Sequence, residues 1–243
     1  MNTPILILTI TISAVFLGAC TGERAAETKT AVTNANAAAN ADSTKNTATL
    51  PADFVSDEAA VKKAVNVGAK MPAFALKDIG GKLVSSDELL KKGNLVVTFY
   101  RGAWCPYCNL YLQNLQKNAA DIKAAGGEIV AISVENPDKS TGVAKKNDLQ
   151  FTVLSDPQLE AARKFGIVYQ LPPETDEKYK SKGLDVAKNN EMERAELPLG
   201  ATYIVNQKGE IVYAYLDKDY TKRAEPAVII EELKKIKTGA EKK

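Results

Sequence analysis

Leu95-Val96-Val97-Thr98-Phe99-Tyr100, followed by Arg101-Gly102-Ala103-Trp104-Cys105-Pro106-Tyr107-Cys108, is the stretch that decides how this 243-residue chain is read. The first six residues form an almost unbroken apolar and β-branched run, as a strand buried on both faces does. Arg101-Gly102-Ala103 reads as a turn. Beyond it Leu112, Leu115, Ala119 and Ile122 recur at helical spacing until Gly126-Gly127 stops the pattern. Pro106 suits a first helical turn, where its missing N–H would be unpaired in any case. The spacing predicts a strand, a turn and a helix running to Ile122, with both sulfurs of a Cys-x-x-Cys at the helix N-terminus.

That placement matters because the thiolate is the reactive form, and the unpaired N–H groups and positive dipole end of a helix stabilise it. Arg101 adds a nearby cation. A free cysteine of pKa about 8.5 is roughly 3% thiolate at pH 7, and lowering the pKa to about 7 raises that fraction some 15-fold. Falling nucleophilicity takes back roughly 4–6-fold and leaves a gain of only about 3-fold. A lowered pKa alone makes a competent dithiol, not a fast peroxidase.

Two other readings of Cys105 and Cys108 compete with a redox pair. Zinc needs about four ligands, and the chain has three cysteines and no histidine, so no metal is expected. A structural disulfide suits an oxidising compartment, but so short a loop removes little chain entropy. No cofactor is expected either.

The first residues set the expected compartment. Pro4 to Gly18 is apolar for about 15 residues, short of the roughly 20 a transmembrane helix needs, and ends in Leu17-Gly18-Ala19-Cys20. This resembles a bacterial lipoprotein signal peptide over residues 1–19, with Cys20 as the lipid-modified residue. Met1-Asn2-Thr3 lacks the usual Lys or Arg, so an uncleaved anchor stays open. Residues 20–53, rich in Ala, Asn and Thr, read as a disordered tether. Residues 54–243 fall in the range of one domain. Formal net charge is +2 with both signs interspersed, which argues against a nucleic-acid partner. The expected location is the cell envelope, lipid-anchored on the periplasmic side of a bacterial membrane.

Further strands are expected at Glu128–Val134 and Phe151–Leu154. Asn136-Pro137-Asp138 carries an N-cap signal for a helix toward Lys146, and Asp156-Pro157 one for a helix through Leu159, Ala162 and Phe165. Thr202–Asn206 and Glu210–Leu216 flank Gln207-Lys208-Gly209 as a hairpin, and Pro226 opens an amphipathic helix through Ile229, Leu233 and Ile236. The fold class is α/β, a mixed central β-sheet flanked by helices. In such sheets the site lies off the carboxyl ends of strands, where Cys105 falls.

Phe99 to Leu110 resembles the peroxiredoxin-like branch of the alkyl hydroperoxide reductase and thiol-specific antioxidant family, within the thioredoxin fold. Met71-Pro72-Ala73-Phe74, Lys164-Phe165-Gly166-Ile167, Leu197-Pro198 before Ala201-Thr202-Tyr203, and Asp219-Tyr220-Thr221-Lys222-Arg223-Ala224-Glu225-Pro226 extend the likeness over about Val67 to Leu233. The Cys-Pro-Tyr-Cys centre also looks like that of glutaredoxins, which are shorter domains.

The departures from the family pattern are specific. In its order Pro-x-x-x-Thr-x-x-Cys, Arg101 stands at the Pro position, Cys105 at the Thr position and Cys108 at the peroxidatic position. The family's later catalytic Arg falls on Gly200, with Arg101 and Arg223 as candidate substitutes. Against thioredoxins, the cis-Pro position aligns with Gly200 and the buried Asp with Thr98, which leaves Glu135 as the candidate internal base, or merely the start of a turn.

The resemblance therefore implies two mechanisms. In one, Cys108 attacks a hydroperoxide, Cys105 condenses with the resulting sulfenic acid, and a thioredoxin-type or membrane-linked donor reduces the disulfide. In the other, Cys105 attacks a protein disulfide and Cys108 resolves the mixed disulfide. A third class is a non-catalytic binding module with a structural disulfide. Val168 to Glu196, with Tyr169, Pro172-Pro173 and Tyr179, is read as a lid over the dithiol, a docking surface, or a solvated insertion with one short helix near Glu174 to Lys180.

Overall fold

The computed structural model describes residues 50–239. Cys20 and the expected signal segment, and residues 20–49 of the expected tether, lie outside them. In chain order the elements are α1 (Asp57–Lys63), β1 (Ala75–Asp78), β2 (Leu83–Ser85), α2 (Ser86–Leu90), β3 (Asn94–Tyr100), α3 (Pro106–Lys117), α4 (Ala119–Ala124), β4 (Gly127–Ser133) and α5 (Pro137–Lys146). They continue with β5 (Thr152–Ser155), α6 (Glu160–Lys164), β6 (Val168–Gln170), α7 (Pro173–Lys180), α8 (Val186–Asn189), β7 (Glu196–Pro198), β8 (Thr202–Val205), β9 (Ile211–Tyr215) and α9 (Pro226–Lys237).

A seven-stranded sheet runs in the order β2-β1-β5-β4-β3-β8-β9. β3 is parallel to β4 and antiparallel to β8, which makes the sheet mixed, as expected. Its central position explains the unbroken apolar run. Leu95, Val97 and Phe99 face one core with Phe165 and Tyr203, and Val96 faces another with Leu115, Ile122 and Leu233. Each large apolar side chain so buried contributes about 1.5–3 kcal/mol.

On α3 the buried residues are Cys108, Tyr111, Leu112 and Leu115, a single stripe at i, i+3, i+4 and i+7. The helix thus carries Cys108 inward together with the residues that hold it to the sheet. It does not run unbroken to Ile122. At Asn118 the backbone N–H is shared between the carbonyls of Asn114 and Leu115, while the side chain donates to Asn114 O at 2.8 Å. That local competition ends α3, and α4 restarts after it.

Two caps differ from expectation. Asn136 begins α5 without a side-chain cap bond and instead donates to Glu191 Oε1 at 3.0 Å. Asp156 does accept the N–H groups of Ala161 and Ala162, but α6 starts only at Glu160 because Leu159 is left-handed at φ 57°. The hairpin β8–β9 and helix α9 stand where the sequence places them. The Val168–Glu196 segment holds more structure than one helix: α7 and α8 lie between β6 and β7, which pair with each other. α1, β1, β2 and α2 have no counterpart in the sequence reading.

Candidate active site

Cys105 is the N-cap of α3, where its Sγ accepts the Cys108 N–H at 3.4 Å, and Pro106 occupies the first turn. Both cysteines are free thiols, 1% and 0% exposed. The turn that delivers them is tightly held. Ala103 N–H donates to Glu135 Oε2 at 2.7 Å, and Asn109 Nδ2 donates to the carbonyls of Ala103 and Cys105. Gly102, at φ 137°, lies so close to Trp104 Nε1 and the Glu135 carboxylate that a Cβ would fall within 2.6–2.9 Å of them.

Glu135 therefore fixes the turn, and no hydrogen bond joins it to either sulfur. Burial pushes its carboxyl up, partly offset by the Ala103 N–H. Its hydrogen bond is to the Ala103 turn, a contact that neither the internal-base nor the turn-start reading of the sequence named.

The two sulfurs differ in charge. Burial opposes ionisation of Cys108, but the hydrogen bond from the Cys105 thiol, the Arg223 guanidinium, the Arg101 backbone N–H and the Arg101 charge outweigh it and bring its pKa to about 6. For Cys105, the proton it shares toward Cys108, then burial, push the thiol far up. The pair thus holds one proton on Cys105 and the negative charge on Cys108.

Arg223 arrives from the loop between β9 and α9. Its Nη2 lies 3.5 Å from Cys108 Sγ and its Nη1 donates to Lys222 O at 2.8 Å. Arg223 and Tyr111 also line an open groove of about 620 Å³ with Tyr107, Leu110, Tyr215 and Val228.

Arg101 plays a different part from Arg223. Its guanidinium, 1% exposed, lies over the rings of Tyr220 (3.9 Å), Trp104 (4.8 Å) and Tyr179 (5.7 Å), and Nη2 donates to Tyr179 Oη at 2.8 Å. Three separate segments thus close on one cation: the dithiol turn, α7, and the β9–α9 loop. Tyr107, half-exposed, makes an edge contact with Tyr220 at 5.8 Å and supports that cage without touching a sulfur.

Within Val168–Glu196, Tyr179 of α7 reaches Arg101 and Trp104 beside the dithiol turn. Tyr220 escaped the sequence reading as a site residue, although it stands three positions before Arg223. Thr98, at the thioredoxin Asp position, bonds Thr202 Oγ1 at 3.0 Å and contributes no charge. No cis peptide occurs among the described residues. Among the described residues no group of three or more His, Cys, Asp or Glu side chains is placed to hold a metal ion.

A mixed sheet with a dithiol at the N-terminus of the helix following its central strand defines a thioredoxin-fold thiol protein. The AhpC/TSA family matches residues 67–214, more than half of the chain, and the protein belongs to that family. Peroxiredoxin Bcp of Escherichia coli K12 is 31% identical over 103 residues, covering 42% of this chain and 65% of that protein. Chloroplastic peroxiredoxin Q of Populus jackii is 35% identical over 103 residues, 42% of this chain and 48% of that protein. The chain thus spans slightly under two thirds of the first of these relatives and about half of the second. In fold it is similar to peroxidoxin BcpB of Mycobacterium tuberculosis, with a TM-score of 0.58 at 19% identity over 71% of this chain and 98% of that one. Enterococcus faecalis AhpC gives 0.55 at 19% identity over 73% and 96%.

Proposed function

We propose that the protein is a thiol peroxidase in which Cys108 attacks and Cys105 resolves. The observation that carries this is the cation at one sulfur: Arg223 Nη2 lies 3.5 Å from Cys108 Sγ, which favours the thiolate there, while Cys105 sits at the helix N-cap. A thioredoxin-like order would need the thiolate on Cys105. The Cys108 thiolate attacks the terminal oxygen of a hydroperoxide ROOH, forming an S–O bond as the O–O bond breaks, and RO⁻ takes a proton and leaves as ROH. Sulfur is oxidised by two electrons and the peroxide reduced by two. The Cys105 thiol then condenses with Cys108 sulfenic acid, releasing water and closing a disulfide. A thioredoxin-type or membrane-linked dithiol donor returns the pair to the reduced state.

The sole tryptophan, Trp104, adjoins Cys105 and packs against Tyr179, so its fluorescence follows the pair. In stopped-flow with hydrogen peroxide, the reduced protein should react orders of magnitude faster than a free thiol, and Cys108→Ser should abolish the change. A slow wild-type reaction would instead favour disulfide exchange through Cys105. The sequence around Cys20 supports attachment to the periplasmic side of a bacterial membrane; Cys20→Ser should then move the chain from the membrane to the soluble fraction, and an unchanged distribution would refute the anchor.

A further inference from the structure

Gly200 has no conformational reason to be glycine, since it is absent from the glycines of positive φ, but it has a spatial one. A Cβ there would lie 2.1 Å from Arg223 Nη1, 2.3 Å from Cζ and 2.7 Å from Nη2. The missing side chain is what seats the Arg223 guanidinium. Seated so, the group has Nη1 on the Lys222 carbonyl and Nη2 at Cys108 Sγ. Its Nε is buried with no hydrogen-bond partner among the described residues. An unpaired charged donor costs stability unless an acceptor arrives during function, and Nε with Nη2 offers the paired donors that suit two oxygens.

We propose that Arg223, held in the space left by Gly200, is a catalytic residue that binds the oxygens of the hydroperoxide against Cys108 Sγ and stabilises charge as it passes from sulfur to the departing oxygen. The inference rests on the peroxidase reading. As the S–O bond forms, the O–O electron pair leaves on the outer oxygen, which accepts a solvent proton. The guanidinium balances that charge throughout. It reaches the sulfur from the loop after β9, and only a glycine two residues before β8 admits it.

The test compares Arg223→Gln, Arg223→Lys, Gly200→Ala and the double variant Gly200→Ala/Arg223→Gln, all confirmed folded by circular dichroism and thermal melting. Gly200→Ala keeps every charge and pushes aside only the flexible end of a side chain, so it should fold. Alkylation across pH first fixes the Cys108 pKa of each, and peroxide rates are then measured where Cys108 is ionised in all of them. Arg223→Gln and Gly200→Ala should each remain about 100-fold slower than wild type under that condition, and the double variant no slower than either. Arg223→Lys should retain a low pKa yet lose most of the rate, because a point charge lacks the fork. Rates within twofold of wild type once Cys108 is ionised would reduce Arg223 to a thiolate stabiliser and overturn the proposal. Full activity in Gly200→Ala would overturn the seat. A wild type no faster than a free thiol would fail the peroxidase reading itself, a result separate from either.

Discussion

Two cysteines three residues apart end with opposite character because their surroundings divide one proton between them. Cys105, at the N-cap, accepts one backbone N–H, whereas Cys108 has the Arg223 guanidinium at 3.5 Å. At a pKa of about 6, roughly 90% of Cys108 is thiolate at pH 7. Against a free thiol that is some 30-fold more thiolate, but falling nucleophilicity takes back roughly 10-fold, so fixed donors around the sulfur must supply the remainder of a peroxidase rate. The thiolate is the deprotonated form, so reactivity must fall on acidification. Alkylation by iodoacetamide should lose about tenfold per pH unit below the Cys108 pKa and level off about one unit above it, where a free thiol would still be gaining. A profile still rising past about pH 8 would mean that the charge is not on Cys108.

At the scale of elements, the sequence showed where the chemistry starts and not what encloses it. β3, the turn and the opening of α3 were legible because an apolar run, a glycine and a proline each have one strong structural meaning. The break at Asn118 was not, because it depends on one side chain competing for a carbonyl that helical periodicity cannot report. The arrival of Tyr179 from α7 and of Tyr220 and Arg223 from the β9–α9 loop was equally hidden, since each is set by tertiary packing across 78 or more residues. That the space above Gly200 holds the Arg223 guanidinium was hidden for the same reason.

α7 has no buried residue of its own, so Tyr179 is its principal hold on the site. Tyr179→Ala leaves a buried guanidinium donor unpaired and removes one wall of its cage. We expect a loss of about 1–3 kcal/mol in stability and several-fold faster alkylation of the covered Cys108 thiolate, read by timed mass spectrometry. Unchanged labelling would mean that α7 does not control access.

On the scale of the whole molecule, the sheet places the site, and segments distant in sequence pack around it. β3 is clad on both faces by separate cores and paired on both edges, so the turn at its carboxyl end is carried on a strand held from every side. Rigid support is what a charge arrangement held to within a fraction of an ångström requires. The fold class was readable from strand and helix alternation because burial on both faces of a sheet writes itself into composition, whereas α1, β1, β2 and α2 are short and half-exposed and write little. The most direct test of the account is to trap the oxidised sulfur. Reduced Cys105→Ser protein would be treated with one equivalent of hydrogen peroxide in the presence of dimedone, and the adduct mapped by peptide mass spectrometry. The account predicts stoichiometric dimedone on Cys108, formed as fast as peroxide is consumed; no adduct on Cys108 under conditions where Cys108→Ser protein still consumes peroxide through Cys105 would contradict it.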